Sequence, residues 1–192
     1  VSESTGFENL QDIALQAGQD IVETAETLRK SGIEVRTVSV GSTPSAKITC
    51  TVPGITESRP GTYVFYDYCL MRQGVIEEKD CAFTLLSTVV SLPCPDRALI
   101  DAGSKCLTSD FAAEFGVYGY IKQMPHAPLF RANEEVSILK LDPSKDRLEI
   151  GDKLEIIPNH ICPTVNLFDE AVASRKDRVE TTWKIAARGK VR

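Results

Sequence analysis

The chain has 192 residues, of which 42% are hydrophobic and 26% charged, and its formal net charge is −5. These values are typical of a folded globular protein of one or two domains and exclude a disordered or collagen-like chain. The basic residues are scattered under a negative net charge, which argues against a nucleic-acid partner. No apolar run approaches the ~18 residues of a membrane-spanning helix, so no membrane partner is expected.

The first 45 residues predict one helix–strand unit. Thr5 and Glu8 have the spacing of a capping box, and apolar residues then recur at helical intervals, which predicts a helix from about Phe7 to Ser31. The β-branched segment IEVRTVSV predicts a strand from Ile33 to Val40. A single unit of this kind cannot bury both of its faces, so we expect it to be the end of a larger α/β assembly.

The remainder of the chain is predicted to be β-rich. Short β-like runs alternate with proline, glycine and aspartate turn signals, as in a barrel or sandwich domain. These runs are TYVFYDYCLM, AFTLLSTVVSL, RALIDAG, VSILKL, KLEIIP and VETTWKIAAR. The segment SDFAAEFG is predicted to be a short helical turn or a loop. The sequence therefore predicts a mainly β protein, with an αβ portion at 1–56 and a β-domain at 57–192.

The six cysteines form no C-x-x-C pair. No secretory signal precedes them, which favours reduced thiols and a cytosolic protein. All except Cys162 are expected to be small buried hydrophobes. They are Cys50, Cys69, Cys81, Cys94 and Cys106.

One candidate ligand-binding segment is the turn after the first predicted strand. Gly41 allows close approach of a ligand, Ser42 and Thr43 supply hydroxyl and N–H groups, and Pro44 suits the first position of a short helix. A strand, a small-residue turn and a helix start are typical of phosphate binding. An ordinary polar turn remains the alternative.

A second candidate is His160-Ile161-Cys162, between Pro158 and Pro163. In an extended segment, alternate residues point to the same face, so the imidazole and thiolate are expected to meet one metal ion. Both groups are good zinc ligands. The alternative is a hydrogen-bonded loop histidine beside a buried cysteine.

Three weaker candidates are also present. Asp101-Ala-Gly-Ser-Lys105 is either a charged pair near a pocket or a turn. In TYVFYD, the side chains of Tyr63 and Asp67 share one strand face and that of Tyr66 lies on the other. These residues either line a pocket or are core aromatics beside one surface carboxylate. His126 is expected to be a loop residue.

Taken in chain order, five segments resemble the C-terminal part of the D-threonine aldolase and D-serine dehydratase family. They are VSVGSTPS, ITESRPGTYVFYD, DRALIDAGSKCLTSD, IIPNHICPTVNL and WKIAARGK. The resemblance implies an alanine-racemase-like build, in which a (β/α)8 barrel precedes a β-domain. The first helix and strand would then close the barrel, whose earlier portion is missing from this chain.

The resemblance also implies a pyridoxal-phosphate- and metal-dependent lyase for D-β-hydroxy amino acids. Gly41, Ser42 and Thr43 match the family's cofactor-phosphate loop, and His160 and Cys162 match its metal pair. A cysteine at the second metal position favours zinc, with Mn²⁺ or Mg²⁺ as alternatives, and favours conversion of D-serine to pyruvate and ammonia. D-threonine cleavage to glycine and an aldehyde is the alternative, and the resemblance also implies a homodimer.

This sequence departs from the family pattern in two respects. The family's cofactor lysine follows the first barrel strand, a region that is not in this chain, and its motif is not matched at Lys30, Lys47, Lys79 or Lys105. Relatives commonly carry a histidine after the acidic pair that matches Glu134 and Glu135, whereas Val136 and Ser137 follow here. The chain alone is therefore expected to be inactive. A free-standing, non-catalytic β-domain that binds a metal or a partner is the competing hypothesis.

Overall fold

The computed structural model describes residues 9–176 and 178–190. The chain divides into two compact units, the first comprising residues up to 64 with 70–80 and the second comprising 65–69 with the residues from 81 onward. The predicted capping box of Thr5 and Glu8 lies outside the described residues. The predicted domain boundary between residues 56 and 57 stays a prediction.

The helices in the described ranges are α1 (Leu10–Lys30), α2 (Thr43–Thr49), α3 (Tyr68–Arg72), α4 (Ser104–Leu107), α5 (Ala112–Phe115) and α6 (Ile161–Asn166). The strands are β1 (Ser39–Gly41), β2 (Glu57–Arg59), β3 (Leu85–Cys94), β4 (Arg97–Ile100), β5 (Gly119–Ile121), β6 (Leu129–Ala132), β7 (Ser137–Lys140), β8 (Lys153–Pro158), β9 (Glu170–Arg175) and β10 (Arg178–Lys184). Single 3-10 turns occur at Thr62–Val64 and Glu78–Asp80.

The first unit packs α1 against the segment that contains α2. Small residues of α1 form its buried face, and a Cβ at Gly18 would lie 2.7 Å from Val52 Cγ2. Gly54 adopts a φ of +102° beside Val22. Glycine suits both positions because it permits close approach at the first and a left-handed backbone at the second.

The predicted strand from Ile33 to Val40 is wrong in extent, because only Ser39–Gly41 forms a strand. β1 pairs in parallel with β2, and the backbone carbonyl of Val38 accepts a hydrogen bond from Thr56 N–H at 3.0 Å. Residues 33–38 have no partner strand in the described part of the chain. β-Branched residues favour an extended backbone, but a strand also requires a neighbour to pair with.

The second unit contains a six-stranded antiparallel sheet in the order β5-β8-β3-β4-β7-β6. The two edge strands approach each other, and Tyr118 N–H donates to the Leu129 carbonyl at 2.9 Å, so the sheet is a nearly closed barrel. β3 pairs with β8 through its first half and with β4 through its second half, with register shifts after Val89. Such irregularities bend a long strand and allow one sheet to curl on itself.

The barrel interior is the main hydrophobic core. Its fully buried side chains alternate with exposed ones along β3, where Leu85, Ser87 and Val89 point inward and Leu86 and Val90 outward. The core residues with no exposed surface are Val89, Ala98, Ile100, Leu129, Leu139 and Ile156. The prediction of a β-rich barrel domain that follows a helix–strand portion is therefore confirmed.

Five of the six predicted β runs contain strands, namely β3, β4, β7, β8 and β10. The run TYVFYDYCLM is wrong, because it forms a 3-10 turn and then α3. Tyr66 adopts a φ of +58°, which is incompatible with a strand, and Asp67 is buried. The segment SDFAAEFG contains α5, as predicted.

The last two strands, β9 and β10, form a separate antiparallel hairpin. Val172, Val179 and Trp183 on this hairpin are all more than half exposed. None of the helices in the described part of the chain combines the length and the hydropathy that crossing a bilayer requires.

Candidate metal centre and phosphate loop

His160 lies where β8 gives way to α6. Its backbone is extended, at φ −137° and ψ 113°, and Thr164 Oγ1 donates to its carbonyl at 2.7 Å. Cys162 is the second residue of α6. The expectation of an extended His-x-Cys segment is therefore wrong beyond His160, because the chain turns into a helix at Ile161. Cys162 is exposed, and the His160 side chain retains 29% of its surface.

The imidazole of His160 is held by two consecutive residues of another loop. Its Nδ1 lies 2.9 Å from Asp110 Oδ2, and the ring of Phe111 lies 5.4 Å from the imidazole, centroid to centroid. Sequence reasoning missed Asp110. The available signal was an aspartate followed by an aromatic residue just before a short helix, which is too common to single out a residue.

The backbone around His160 is anchored on two sides. The Asp67 carboxylate accepts a hydrogen bond from Ile161 N–H at 3.0 Å, and Cys69 N–H donates to the Asn159 carbonyl at 3.1 Å. Asn159 Nδ2 donates to the carbonyls of Asp110 at 3.2 Å and Val117 at 2.7 Å. Asp67 and Asn159 are each 1% exposed, so the prediction of a surface carboxylate at Asp67 is wrong. The histidine therefore sits on a rigid turn.

Aromatic side chains continue from His160 along the same side of the second unit. Phe111 stacks on Phe115 at 5.5 Å between ring centroids, Phe115 meets Tyr68 edge-on at 5.9 Å, and Tyr68 lies 5.4 Å from Tyr120. Of these rings, Phe111 is the one that contacts the imidazole, and it covers part of that ring with apolar surface.

The donor atoms at this turn suit a zinc ion, since imidazole nitrogen and thiolate sulfur are its preferred ligands. No cluster of three or more metal-binding side chains occurs within residues 9–176 and 178–190. Two protein ligands fill only two of the four positions that zinc usually has, and the others take water or substrate. Open positions are characteristic of catalytic metal sites rather than structural ones.

The predicted phosphate loop lies in the first unit, between β1 and α2. Ser42 is the residue before α2 and has a φ of +75°, which is uncommon for a residue with a side chain. The buried Thr43 Oγ1 has no hydrogen-bond partner among the described residues. A Cβ at Gly41 would lie 3.7 Å from the Arg59 carbonyl, so the turn is already close-packed on that side. Pro44 is within the first turn of α2, one position later than predicted.

The weaker candidates have local structural roles. Asp101 accepts hydrogen bonds from Thr88 N–H at 2.7 Å and Ser87 Oγ at 2.8 Å. Burial raises the pKa of Asp101, but these hydrogen bonds lower it more, so its pKa lies below the ordinary value. Lys105 pairs with Glu135 instead of Asp101.

His126 Nε2 lies 2.7 Å from Asp146 Oδ1, in a loop as predicted. Tyr63 is exposed, and the strand face predicted for it does not form.

None of the six cysteines, all of which lie in the described ranges, forms a disulfide bond. The expected burial of five of them is wrong, because Cys50 is exposed and the other four are only partly buried. Two of them lie at the ends of elements, where burial is incomplete: Cys50 follows α2 and Cys94 is the last residue of β3.

Comparison with known proteins first defines the fold class. An alanine-racemase-like protein from Idiomarina loihiensis superposes with a TM-score of 0.84 at 24% identity, over 94% of this chain and 52% of that one. Residues 82–174 match the family model described as a putative serine dehydratase domain. Over more than nine-tenths of its length the chain is similar to members of the D-serine dehydratase and D-threonine aldolase family.

Three curated relatives define the similarity further. D-threonine aldolase of an Arthrobacter species is 32% identical over 95% of this chain and 47% of its own length. D-threo-3-hydroxyaspartate dehydratase of Delftia is 34% identical over 92% of this chain and 51% of its own length. D-serine dehydratase of Dictyostelium discoideum is 29% identical over 92% of this chain and 49% of its own length. The chain thus spans about half the length of the curated relatives it matches.

The Delftia dehydratase also has a solved structure, which superposes with a TM-score of 0.83 at 34% identity over 93% of this chain and 51% of that one. Solved variants of D-threo-3-hydroxyaspartate dehydratase replace a histidine and, two positions further on, a cysteine with alanine, and the cysteine variant is in a metal-free form. His160 and Cys162 have the same spacing.

Proposed function

We propose that this chain supplies the metal site and the cofactor-phosphate loop of a pyridoxal-phosphate-dependent lyase for D-β-hydroxy amino acids. The reaction we assign is dehydration of D-serine to pyruvate and ammonia. The observation that carries this proposal is the anchored turn at His160, which holds the imidazole just before α6, with Cys162 as the second residue of that helix. The named relatives support it, since each is an aldolase or a dehydratase.

His160 and Cys162 would hold the metal, and Gly41, Ser42 and Thr43 would hold the cofactor phosphate. The unpartnered, buried Thr43 Oγ1 supports the second assignment, because a buried hydroxyl without a partner costs free energy unless a ligand satisfies it. When bound, pyridoxal phosphate supplies an electron sink for charge developing at the substrate's Cα, and zinc supplies a Lewis acid for its β-hydroxyl.

The chain's own residues orient these groups. Asp67 and Asn159 fix the backbone of the turn, so that the imidazole keeps its position when a substrate hydroxyl approaches. The Phe111 ring covers part of the imidazole with apolar surface and keeps water from that part. Exclusion of water strengthens the electrostatic interactions of a bound metal ion with an oxygen ligand.

The metal assignment is tested by zinc binding to the 192-residue chain, measured by competition with a chromophoric chelator. We expect one zinc ion per chain, with binding lost in His160→Ala and in Cys162→Ser. Cys50→Ser is the matched control, because Cys50 is also an exposed free thiol. Equal binding by the unaltered chain and both site variants would remove the metal site from the proposal.

The phosphate loop is tested separately, by equilibrium dialysis against pyridoxal phosphate and against pyridoxal, which lacks the phosphate. We expect the phosphorylated form to bind more tightly, and Thr43→Val to weaken its binding while leaving the fold intact. Valine has the shape of threonine without the hydroxyl. Indistinguishable binding of the two ligands would contradict the assignment of Gly41, Ser42 and Thr43.

D-Threonine cleavage to glycine and an aldehyde is the second candidate, favoured by the 32% identity to a D-threonine aldolase. The two reactions differ in products, so pyruvate from D-serine and glycine from D-threonine are assayed side by side on the full-length protein. We expect the 192-residue chain alone to produce neither, because the resemblance places the family's cofactor lysine in a region that is not in this chain. Turnover by the isolated chain would contradict that expectation.

A further inference from the structure

The residue that faces His160 is held in place independently of the histidine. Asp110 is bound at two points, because its carboxylate contacts His160 Nδ1 at 2.9 Å while its backbone carbonyl accepts a hydrogen bond from Asn159 Nδ2 at 3.2 Å. Asn159 immediately precedes His160, so the two successive residues at the end of β8 both contact Asp110. This double contact fixes the distance and direction of the carboxylate relative to the ring.

The backbone around Asp110 is also strained in a way that serves this contact. Thr108 and Phe111 have φ angles of +64° and +59°, in the left-handed region that residues with side chains rarely adopt. The turn they create brings both the Asp110 carboxylate and the Phe111 ring onto the same imidazole. Strain of this kind persists where the surrounding contacts over-determine the loop, and it is concentrated at functional sites.

When a carboxylate accepts a hydrogen bond from one imidazole nitrogen, that nitrogen is the one that carries the proton. Ionised Asp110 has no proton to donate, so the short contact requires N–H at Nδ1 of His160. In the neutral ring, Nε2 then carries no proton, so its lone pair is available to a metal ion. Metal-binding histidines generally donate their other N–H to a carboxylate or carbonyl group.

We propose that Asp110 is a positioning residue that presents Nε2 of His160 to the metal ion bound with Cys162. This inference rests on the proposed metal site. The Asp110 side chain is 51% exposed, so this contact by itself contributes little to the stability of the fold. Its effect is on the tautomer and orientation of the ring, and through these on the affinity for the metal.

The chain is well suited to a direct test, because it contains only two histidines, His126 and His160. Long-range ¹H–¹⁵N correlation spectra of the metal-free, ¹⁵N-histidine-labelled 192-residue chain report the protonated nitrogen of each ring. The variant His126→Gln assigns the two sets of signals. We expect His160 to carry its proton on Nδ1.

Three variants separate positioning from a general effect of charge. In Asp110→Ala we expect a mixture of His160 tautomers and a loss of zinc affinity of about tenfold, at the lower end of the effects of such supporting groups because the carboxylate is half exposed. Asp110→Asn keeps an oxygen acceptor and is expected to restore most of the Nδ1–H form. Glu114→Ala removes an exposed carboxylate four residues away and is expected to change neither property.

The outcomes distinguish this proposal from the one on which it depends. Absence of zinc binding by the unaltered chain would overturn the metal site and this inference together. Normal zinc binding by Asp110→Ala, with His160 still protonated at Nδ1, would overturn the role of Asp110 alone. A tenfold loss in Asp110→Ala that Asp110→Asn does not relieve, with an unchanged tautomer, would also contradict positioning through Nδ1.

Discussion

Removal of the Asp67 carboxylate is expected to destabilise the turn that carries His160. Asp67 accepts a hydrogen bond from the backbone N–H of Ile161, and both residues are buried, at 1% and 2% exposed. In Asp67→Ala the charge-assisted bond is lost and a buried donor is left without its acceptor, which costs about 2–3 kcal/mol of unfolding free energy. Asp67→Asn keeps an acceptor oxygen of the same shape and is expected to lose about half as much.

Urea unfolding followed by far-UV circular dichroism measures this difference. Glu149→Ala is the matched control, because Glu149 is an exposed carboxylate and its removal is expected to change the unfolding free energy by less than about 0.5 kcal/mol. Zinc affinity is expected to fall together with stability in Asp67→Ala, since the same hydrogen bond fixes the turn. If Asp67→Ala matched Glu149→Ala in both measurements, the reasoning that the carboxylate anchors this turn would be wrong.

Three further expectations concern the barrel. Ile156→Ala is expected to lower the unfolding free energy by about 2–5 kcal/mol, because Ile156 has no exposed surface, and a loss below 1 kcal/mol would contradict its assignment to the core. Gly103→Ala is expected to lower the unfolding free energy by about 3 kcal/mol, since the added Cβ would clash with the Glu134 carbonyl. Gly61→Ala is expected to leave it unchanged, because the space around that Cβ is open. Asp101 has a folded-state pKa below its ordinary value of 3.8, so its stabilising effect is complete above that value and is lost as the pH falls through the lower folded-state pKa. Asp101→Asn is therefore expected to be less stable than the unaltered chain at pH 7 and to converge with it in acid, and a constant difference in denaturation profiles across this range would refute the argument.

The sequence predicted the barrel better than it predicted the turns that serve the candidate site. Alternation of apolar and polar residues located β3 and β8, because burial on one face of a strand leaves a period of two in the sequence. The short strands β5, β6 and β9 were not predicted. β5 begins at a glycine, and β6 and β9 each contain alanine and arginine, so none of the three forms a run of β-branched or apolar residues.

The failures around His160 have a common physical cause. The run that contains Tyr66 and Asp67 alternates like a strand, but the buried carboxylate is an acceptor for a residue more than 90 positions away in sequence, and the backbone turns to deliver it. Asp110 and His160 are 50 positions apart and meet only through the fold. Long-range polar contacts of this kind leave no local pattern, so the sequence indicated His160 and Cys162 as candidate ligands but not the residues that contact His160.

The route of β3 through the barrel has a consequence for the order of folding. β8 pairs with the first half of β3, and Leu85 and Ile156, which are partners in this pairing, are 71 positions apart. Closing so large a loop is slow, because chain entropy is lost before the contacts that compensate for it are made. The turn with His160 begins where β8 ends. It is therefore expected to form only after this pairing, which joins residues far apart in the sequence. The two proposed ligands, His160 and Cys162, are therefore expected to come together late, once the barrel is assembled, and not to direct the early collapse.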